Sequence, residues 1–180
     1  MRESLIDLVR NHVPLDNTEK ESVRRTLIFL ADNEDCISKA NLEGHVTASA
    51  WVLSSGRDKT LLTHHKKLNR WLQLGGHIEN DLTIQQAACR EAFEESGIEQ
   101  LELVQQSLFD LDVHKIPERG DTPAHYHYDM RFLLLSKTMN FTISDESNDL
   151  AWVPLTELAE LVSDASILRM AEKTELLLQA

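Results

Sequence analysis

The chain has 180 residues, a length typical of one domain, and 42% of them are hydrophobic, which is enough for a core without disulfides or structural metal. Its 18 Lys and Arg residues against 30 Asp and Glu give a net charge of −12, which argues against a nucleic-acid duplex as the main partner. The longest apolar run, 27–31, has five residues, far short of the roughly 20 needed to cross a membrane.

The first 35 residues predict two helices. Leu5 and Val9 lie at helical spacing before Pro14, which ends the first helix. Thr18 and Glu21 form a capping-box pattern for the second helix. Because the N-terminus carries an acid and leads into a helix rather than an apolar signal sequence, we expect the protein to be cytoplasmic.

The hydrophobic period then changes from that of a helix to that of a strand. Alternate positions of the first strand candidate are apolar: Val46, Ala48, Ala50 and Val52. Further strands are predicted at 60–65, 71–74, 101–113, 128–135 and 150–153, and closing helices at 155–162 and 167–178. Because strands interleave with helices, we expect an α/β fold in which a mixed sheet packs between helices.

The most informative stretch is 75–98, where two adjacent glycines precede a helical pattern. Thr83 with Gln86 forms a capping-box start, and Gly97 is typical of the position just past a helix end. The pattern therefore predicts a helix over about 84–96.

Three carboxylates share one face of this helix. Glu91, Glu94 and Glu95 are spaced i, i+3 and i+4, within about a 100° arc. Such acids repel one another, and Arg90 can pair with Glu94 four residues on, so a hard divalent cation is expected to offset the remaining charge. A different arc, suited to burial against a sheet, holds Ala88, Cys89, Ala92 and Phe93.

This stretch resembles the Nudix hydrolases, whose box reads G-x5-E-x7-R-E-U-x-E-E-x-G-U, where U is a bulky aliphatic residue. Six of the seven fixed positions match: Gly76, Arg90, Glu91, Glu94, Glu95 and Gly97. The first glutamate of the box falls on Leu82, although Asp81 could supply a carboxylate displaced by one position. Three flanking stretches are similar to a bacterial, MutT-like subgroup of unassigned substrate: 44–52, 64–76 and 109–132.

The resemblance implies a Nudix-type α/β/α sandwich with a mixed β-sheet. We expect this domain at 41–180, preceded at 1–40 by an N-terminal helical extension. The extension is expected either to pack against the domain or to form a dimer element.

The resemblance also implies hydrolysis of the pyrophosphate bond in a nucleoside diphosphate linked to another group X, with Mg²⁺ or Mn²⁺ as cofactor. The expected metal ligands are Glu91, Glu94, Glu95 and the carbonyl of Gly75. The expected catalytic residues are Arg90 and a carboxylate base, with Glu95 or Glu91 considered first and Glu146 second. The expected substrate contacts are Gly76, Arg70, His77 and Arg131.

Two features keep other roles open. His125 and His127 face the same side of a strand candidate, a spacing that allows joint metal ligation, although surface or substrate-contacting histidines are more common. Leu82 raises the alternative of a Nudix-like module that binds a nucleotide derivative without hydrolysing it.

Overall fold

The computed structural model describes residues 1–145 and 147–179. The helices are α1 (Arg2–Arg10), α2 (Asn17–Asp32), α3 (Ile84–Ser96), α4 (Leu158–Leu161, after a 3₁₀ turn at Leu155–Glu157) and α5 (Ala165–Gln179). The strands are β1 (Gly44–Leu53), β2 (Lys59–His65), β3 (Arg70–Leu72), β4 (Leu74–His77), β5 (Leu101–Leu103), β6 (Asp110–Ile116), β7 (His125–Ser136) and β8 (Ser147–Pro154). In the described part of the chain, none of these helices has the length and apolarity that a membrane span requires.

The eight strands form one mixed sheet. Its main path runs β3-β2-β1-β7-β5, while β4 pairs with β1, β6 with β7 and β8 with β2. The long central strands β1 and β7 are parallel, and the other pairs are antiparallel. The expected mixed sheet is confirmed.

Helices cover both faces of the sheet. Because side chains alternate along a strand, β1 contributes to a hydrophobic cluster on each face. Val46, Ala48, Ala50 and Val52 pack with α1, α2 and α3. Trp51 and Leu53 pack with α4 and α5 on the other face, where the Trp51 indole N–H donates to Thr174 Oγ1 at 3.0 Å. The architecture is the expected α/β/α sandwich.

The N-terminal helices form where the sequence predicts them, with one change at a cap. Helix α2 begins after Asp16, whose carboxylate accepts the backbone N–H of Glu19 at 2.7 Å, so the predicted cap at Thr18 is wrong. Leu5, Val9, Phe29 and Leu30 are buried in the same core as β1. The two helices therefore pack against the sheet.

Three other local predictions need correction. The strand predicted at 71–74 is two strands, β3 and β4, interrupted at Gln73. The strand predicted at 101–113 is two strands, β5 and β6, separated by an irregular segment. Phe93 on α3 is 46% exposed rather than buried, whereas Ala88 and Ala92 lie in the core as expected. The small alanines allow α3 to approach the sheet closely.

A buried ion network joins β6, β7, α2 and α5. Asp110 on β6 is fully buried and accepts hydrogen bonds from Arg169 at 2.8 and 2.9 Å and from Arg131 at 3.3 Å. Lys173 approaches Asp110 to 3.0 Å and also pairs with the buried Glu19. Although burial opposes ionisation of Asp110, the Arg169 hydrogen bonds and nearby cations keep its pKa well below the ordinary range.

We predict that Asp110→Asn lowers the free energy of unfolding by about 3–5 kcal/mol, because it leaves buried cations without their counter-charge. Urea unfolding measures the loss. Glu102→Gln is the matched control, since Glu102 pairs at 3.2 Å with Lys137 on the surface and should cost less than about 1 kcal/mol. Equal losses of unfolding free energy in the two variants would contradict the role of Asp110 as the counter-charge of the buried cations.

Candidate active site

A cavity opens where β1 changes partner. Along one edge, residues 47–50 of β1 pair with β4, whereas Leu53 pairs with Thr60 of β2. The cavity has a volume of about 550 Å³ and is lined by side chains from β1, β4, α3, β6 and β7. This size suits a small-molecule ligand.

Two glycines of β4 let carboxylates of α3 reach the strand. The Gly75 N–H donates to Glu95 Oε2 at 2.9 Å. Gly75 has φ 156°, and a Cβ on it would lie 2.2 Å from Ser49 Oγ. A Cβ on Gly76 would lie 2.5 Å from Glu91 Oε1. The Gly75 position therefore requires glycine, whereas a Cβ at Gly76 would displace the Glu91 carboxylate.

Helix α3 has the predicted bounds and caps. Thr83 Oγ1 accepts the Gln86 N–H at 3.2 Å, and Gly97 closes the helix in the left-handed conformation with φ 66°. The Gln86 side chain accepts from the Leu82 N–H, one position earlier than in a standard capping box. The helix presents Glu91, Glu94 and Glu95 to the cavity.

Arg90 organises the acids around it. Its guanidinium donates to Asp81 at 2.9–3.3 Å, to Glu91 at 3.0 Å, to Glu94 at 2.9 Å and to the His77 carbonyl at 2.8 Å. The hydrogen bonds with Asp81 are the main reason that the pKa of Arg90 is raised and that of Asp81 is lowered. Arg90 is therefore a fixed cation that ties the helix to β4.

Asp81, the residue before Leu82, bonds to Arg90. Leu82 is 83% exposed. Asp81, one residue earlier, makes three of the hydrogen bonds to Arg90. The acid next to Leu82, rather than Leu82 itself, therefore faces the arginine.

The carboxylates that line the cavity suit a hard divalent cation. Glu91, Glu94 and Glu95 offer oxygen ligands beside the glycine pair of β4, and Mg²⁺ and Mn²⁺ prefer such oxygens. The missing Cβ of Gly76 leaves space against the Glu91 carboxylate. The donor set therefore fits the metal that the resemblance implies.

Asp129 on β7 is a buried polar centre in the cavity wall. It accepts hydrogen bonds from Thr47 at 3.0 Å, Ser49 at 2.7 Å, Gln73 at 3.1 Å and Arg131 at 2.7 Å. Burial opposes its ionisation, but the Arg131 cation holds the pKa of Asp129 below its ordinary value. This network fixes the wall of the cavity.

A group of histidines lies at one end of the cavity. The rings of His45, His77 and His127 have centroids 4.7–5.4 Å apart. His114 and His125 contact this group, each within 5.6 Å of the His127 centroid. Burial and the neighbouring basic groups lower the pKa of His45 and His77 to about 4 and that of His127 to about 3. All three rings are therefore neutral at pH 7.

The structure separates the predicted site residues into two sets. Those that line the cavity are Gly75, Gly76, His77, Arg90, Glu91, Glu94 and Glu95. Arg131 is buried and contacts Asp110, Asp112 and Asp129, so its guanidinium is occupied by carboxylates. Arg70 lies outside the lining and pairs with Asp164 at 3.5 Å. Glu146 lies outside the described residues.

Sequence reasoning missed His45 and Asp129. His45 pairs in register with His127, and Asp129 with Thr47, across strands separated by more than 70 residues in sequence. The available signal was the alternation of polar residues on one face of each strand, which becomes informative only once the register is known.

Comparisons with known proteins agree with this geometry. A family model described as the NUDIX domain matches residues 44–174. The chain is similar to the crystal structure of a Nudix-family hydrolase from Clostridium perfringens, with 25% identity, a TM-score of 0.56, and coverage of 74% of this chain and 97% of that chain. None of the curated proteins compared with the chain matches it significantly.

Two further structures show similarity of fold. A MutT Nudix hydrolase from Burkholderia pseudomallei has 20% identity and a TM-score of 0.56, covering 72% of this chain and 97% of that chain. The Nudix domain of Shewanella oneidensis NrtR, complexed with ADP ribose, has 19% identity and a TM-score of 0.55, covering 84% of this chain and 97% of that chain.

The neutral histidines predict a loss of stability on mild acidification. Folding lowers the pKa of His45, His77 and His127 from the ordinary value of 6.5 to about 3–4. As the pH falls, these histidines therefore take up protons in the unfolded chain before they do so in the folded protein. Their contribution to the free energy of unfolding is complete above about pH 6.5 and falls progressively towards pH 4. Urea unfolding in chelator, from pH 7.5 to about 5, measures the decline before most carboxylates titrate. The free energy of unfolding of His127→Gln should fall less steeply with decreasing pH. The same slope as in the unaltered protein would contradict this account.

Proposed function

The chain belongs to the Nudix hydrolase family, and from that premise we propose that it cleaves the pyrophosphate bond of a nucleoside diphosphate linked to another group X, with Mg²⁺ or Mn²⁺ as cofactor. The observation that supports this function best is the Arg90 network, which holds two glutamates of α3 at the cavity. The neighbouring Gly75 amide holds a third carboxylate, that of Glu95.

Glu91, Glu94, Glu95 and the Gly75 carbonyl would hold the metal. When bound, the cation neutralises diphosphate charge and stabilises the charge that develops on the leaving phosphate. Arg90 keeps the glutamates in place through its bonds to Asp81 and His77, so the ligands are oriented before substrate arrives.

Glu95 is our first assignment for the general base that takes a proton from the attacking water. It is almost fully buried at the cavity wall and is held by a neutral backbone amide. Glu91 is the alternative, and its carboxylate bonds to the Arg90 cation. A base held at one position favours proton transfer during attack.

Substrate recognition is assigned to groups that line the cavity. Gly76 and His77 keep their proposed contacts. Two lysines in the lining, Lys67 and Lys39, are assigned to phosphate oxygens, and Lys39 also pairs with Glu79 at 3.8 Å. Arg70 and Arg131 are left out of this proposal, because the first lies outside the lining and the second is enclosed by carboxylates.

The proposed partner is a small nucleoside diphosphate derivative encountered in the cytoplasm. The excess of acidic residues makes the surface unfavourable for a nucleic-acid duplex. A homodimer through the N-terminal helices remains a prediction. Size-exclusion chromatography with light scattering tests it directly.

A binding module without hydrolysis is the alternative function. The NrtR Nudix domain, which has a similar fold, was crystallised in complex with ADP ribose. Its basis in this sequence was Leu82. Asp81, the residue before it, accepts a hydrogen bond from Arg90 at 2.9 Å, which supports Asp81 as the compensating carboxylate. The geometry therefore favours hydrolysis.

We predict that Glu95→Gln lowers kcat by about 10²–10⁴-fold and leaves the fold intact, because glutamine can still accept the Gly75 N–H. Release of nucleotide from a panel of nucleoside diphosphate derivatives with Mg²⁺ or Mn²⁺, followed by chromatography, measures turnover. Glu99→Gln, on the exposed segment after α3, is the matched control. Turnover retained in Glu95→Gln, or unaffected by chelator, would contradict the proposal. Binding without cleavage by the unaltered protein would favour the binding module.

We predict that Asp81→Asn lowers turnover by about 10–100-fold, a typical effect of removing a group that orients metal ligands. The variant keeps the shape of the side chain but removes the negative charge of Asp81, whose carboxylate accepts three hydrogen bonds from Arg90. Leu82→Ala should change turnover less than about twofold, because the leucine is exposed. Steady-state kinetics compares the variants. A larger effect from Leu82→Ala would contradict the assigned role of Asp81.

A further inference from the structure

Three histidines from three strands converge beside the proposed carboxylate site. His45 lies on β1, His77 on β4 and His127 on β7. Among residues 1–145 and 147–179, these three form a group in which one ring nitrogen from each lies within 4.8 Å of the others. The convergence depends on strand register, since His45 pairs directly with His127.

His45 is the unusual member of the group. Its side chain is buried, with 2% exposure, and neither ring nitrogen has a hydrogen-bond partner within the described structure. A buried polar atom without a partner costs about 1–3 kcal/mol, so such atoms are usually paired with protein, water or an ion. The ring of His45 faces the other histidines.

We propose that His45, His77 and His127 bind a borderline divalent transition-metal ion, with Zn²⁺ the best suited, at a site separate from the carboxylates of α3. Three neutral imidazoles are typical ligands for such ions, whereas Mg²⁺ prefers oxygen. Metal ligation would give the buried His45 a partner for one of its ring nitrogens.

The distances between the ring nitrogens of the three histidines are compatible with metal binding after small side-chain movements. Tetrahedral zinc with Zn–N bonds of about 2.0–2.1 Å places ligand nitrogens about 3.3 Å apart. The nitrogens here lie within 4.8 Å of one another, so side-chain rotations that shorten each separation by at most roughly 1.5 Å complete the geometry. Because the rings are neutral at pH 7, proton loss does not oppose binding.

The neighbouring histidines have other partners. His114 Nδ1 lies 3.0 Å from an Asp112 carboxylate oxygen. His125 Nδ1 lies 2.9 Å from the Pro123 carbonyl. Because neither residue belongs to the group of three, we assign them no ligand role. His125 therefore offers a control within the same cluster.

The fourth coordination position faces the cavity. His77 and His127 line the cavity, whereas His45 lies behind them in the wall. A water or an oxygen of a bound anion would complete the coordination, as at zinc sites with three protein ligands. His77 also joins the two sites, because its backbone carbonyl accepts from Arg90.

Spectroscopy and calorimetry with the full-length, metal-free protein test this site. Co²⁺ bound by three imidazoles in tetrahedral geometry gives intense visible absorption, and Zn²⁺ should abolish the signal by displacing it. Excess Mg²⁺ should leave the signal unchanged. Glu95→Gln should retain it, which separates this result from any failure of the proposed hydrolysis.

Calorimetric titration should show that His45→Gln, His77→Gln and His127→Gln each raise the Kd for Zn²⁺ at least about 100-fold. His125→Gln should change it less than about threefold. Because His45→Gln removes a buried side chain, circular dichroism checks that this variant folds. His77→Gln gives an independent test, since His77 is only half-buried. The proposal is overturned by weak millimolar binding, by loss of the cobalt signal in Mg²⁺, or by an equal effect of His125→Gln.

Discussion

The parallel pairing of β1 with β7 determines which side chains meet in the cavity. The two strands pair in register from Gly44 with Tyr126 to Leu53 with Leu135. A slip of one residue would turn every polar side chain of a strand to the opposite face. A parallel pair also needs a long crossover connection, and here that connection contains the glycine pair of β4 and helix α3. The proposed hydrolase site and the histidine group therefore depend on the same register.

Local features of the site could be predicted from the sequence because short-range rules govern them. The caps at Thr83 and Gly97 set the bounds of α3, and helical periodicity placed its three glutamates on one face. Asp81 could also be suggested as the displaced carboxylate, since it adjoins Leu82. Each inference required only neighbouring residues.

Features that depend on pairing between distant segments could not be predicted in the same way. The sequence indicated that His125 and His127 face one side of a strand, but only the strand order brings His45 and His77 against His127. Arg131 was expected at a phosphate because arginines often bind phosphates, whereas three carboxylates surround it in the fold. Composition and periodicity do not reveal such long-range partners.

Glu19 of α2 links the N-terminal helices to the ion network at β6 and α5. It pairs with Lys173 and accepts the backbone N–H of Leu111 at 3.3 Å. The family match begins at residue 44, after both helices. A fragment trimmed to that match would expose the core under Phe29 and leave Lys173 without one of its two counter-charges. The N-terminal helices therefore complete the core and the charge balance of the region that defines the family.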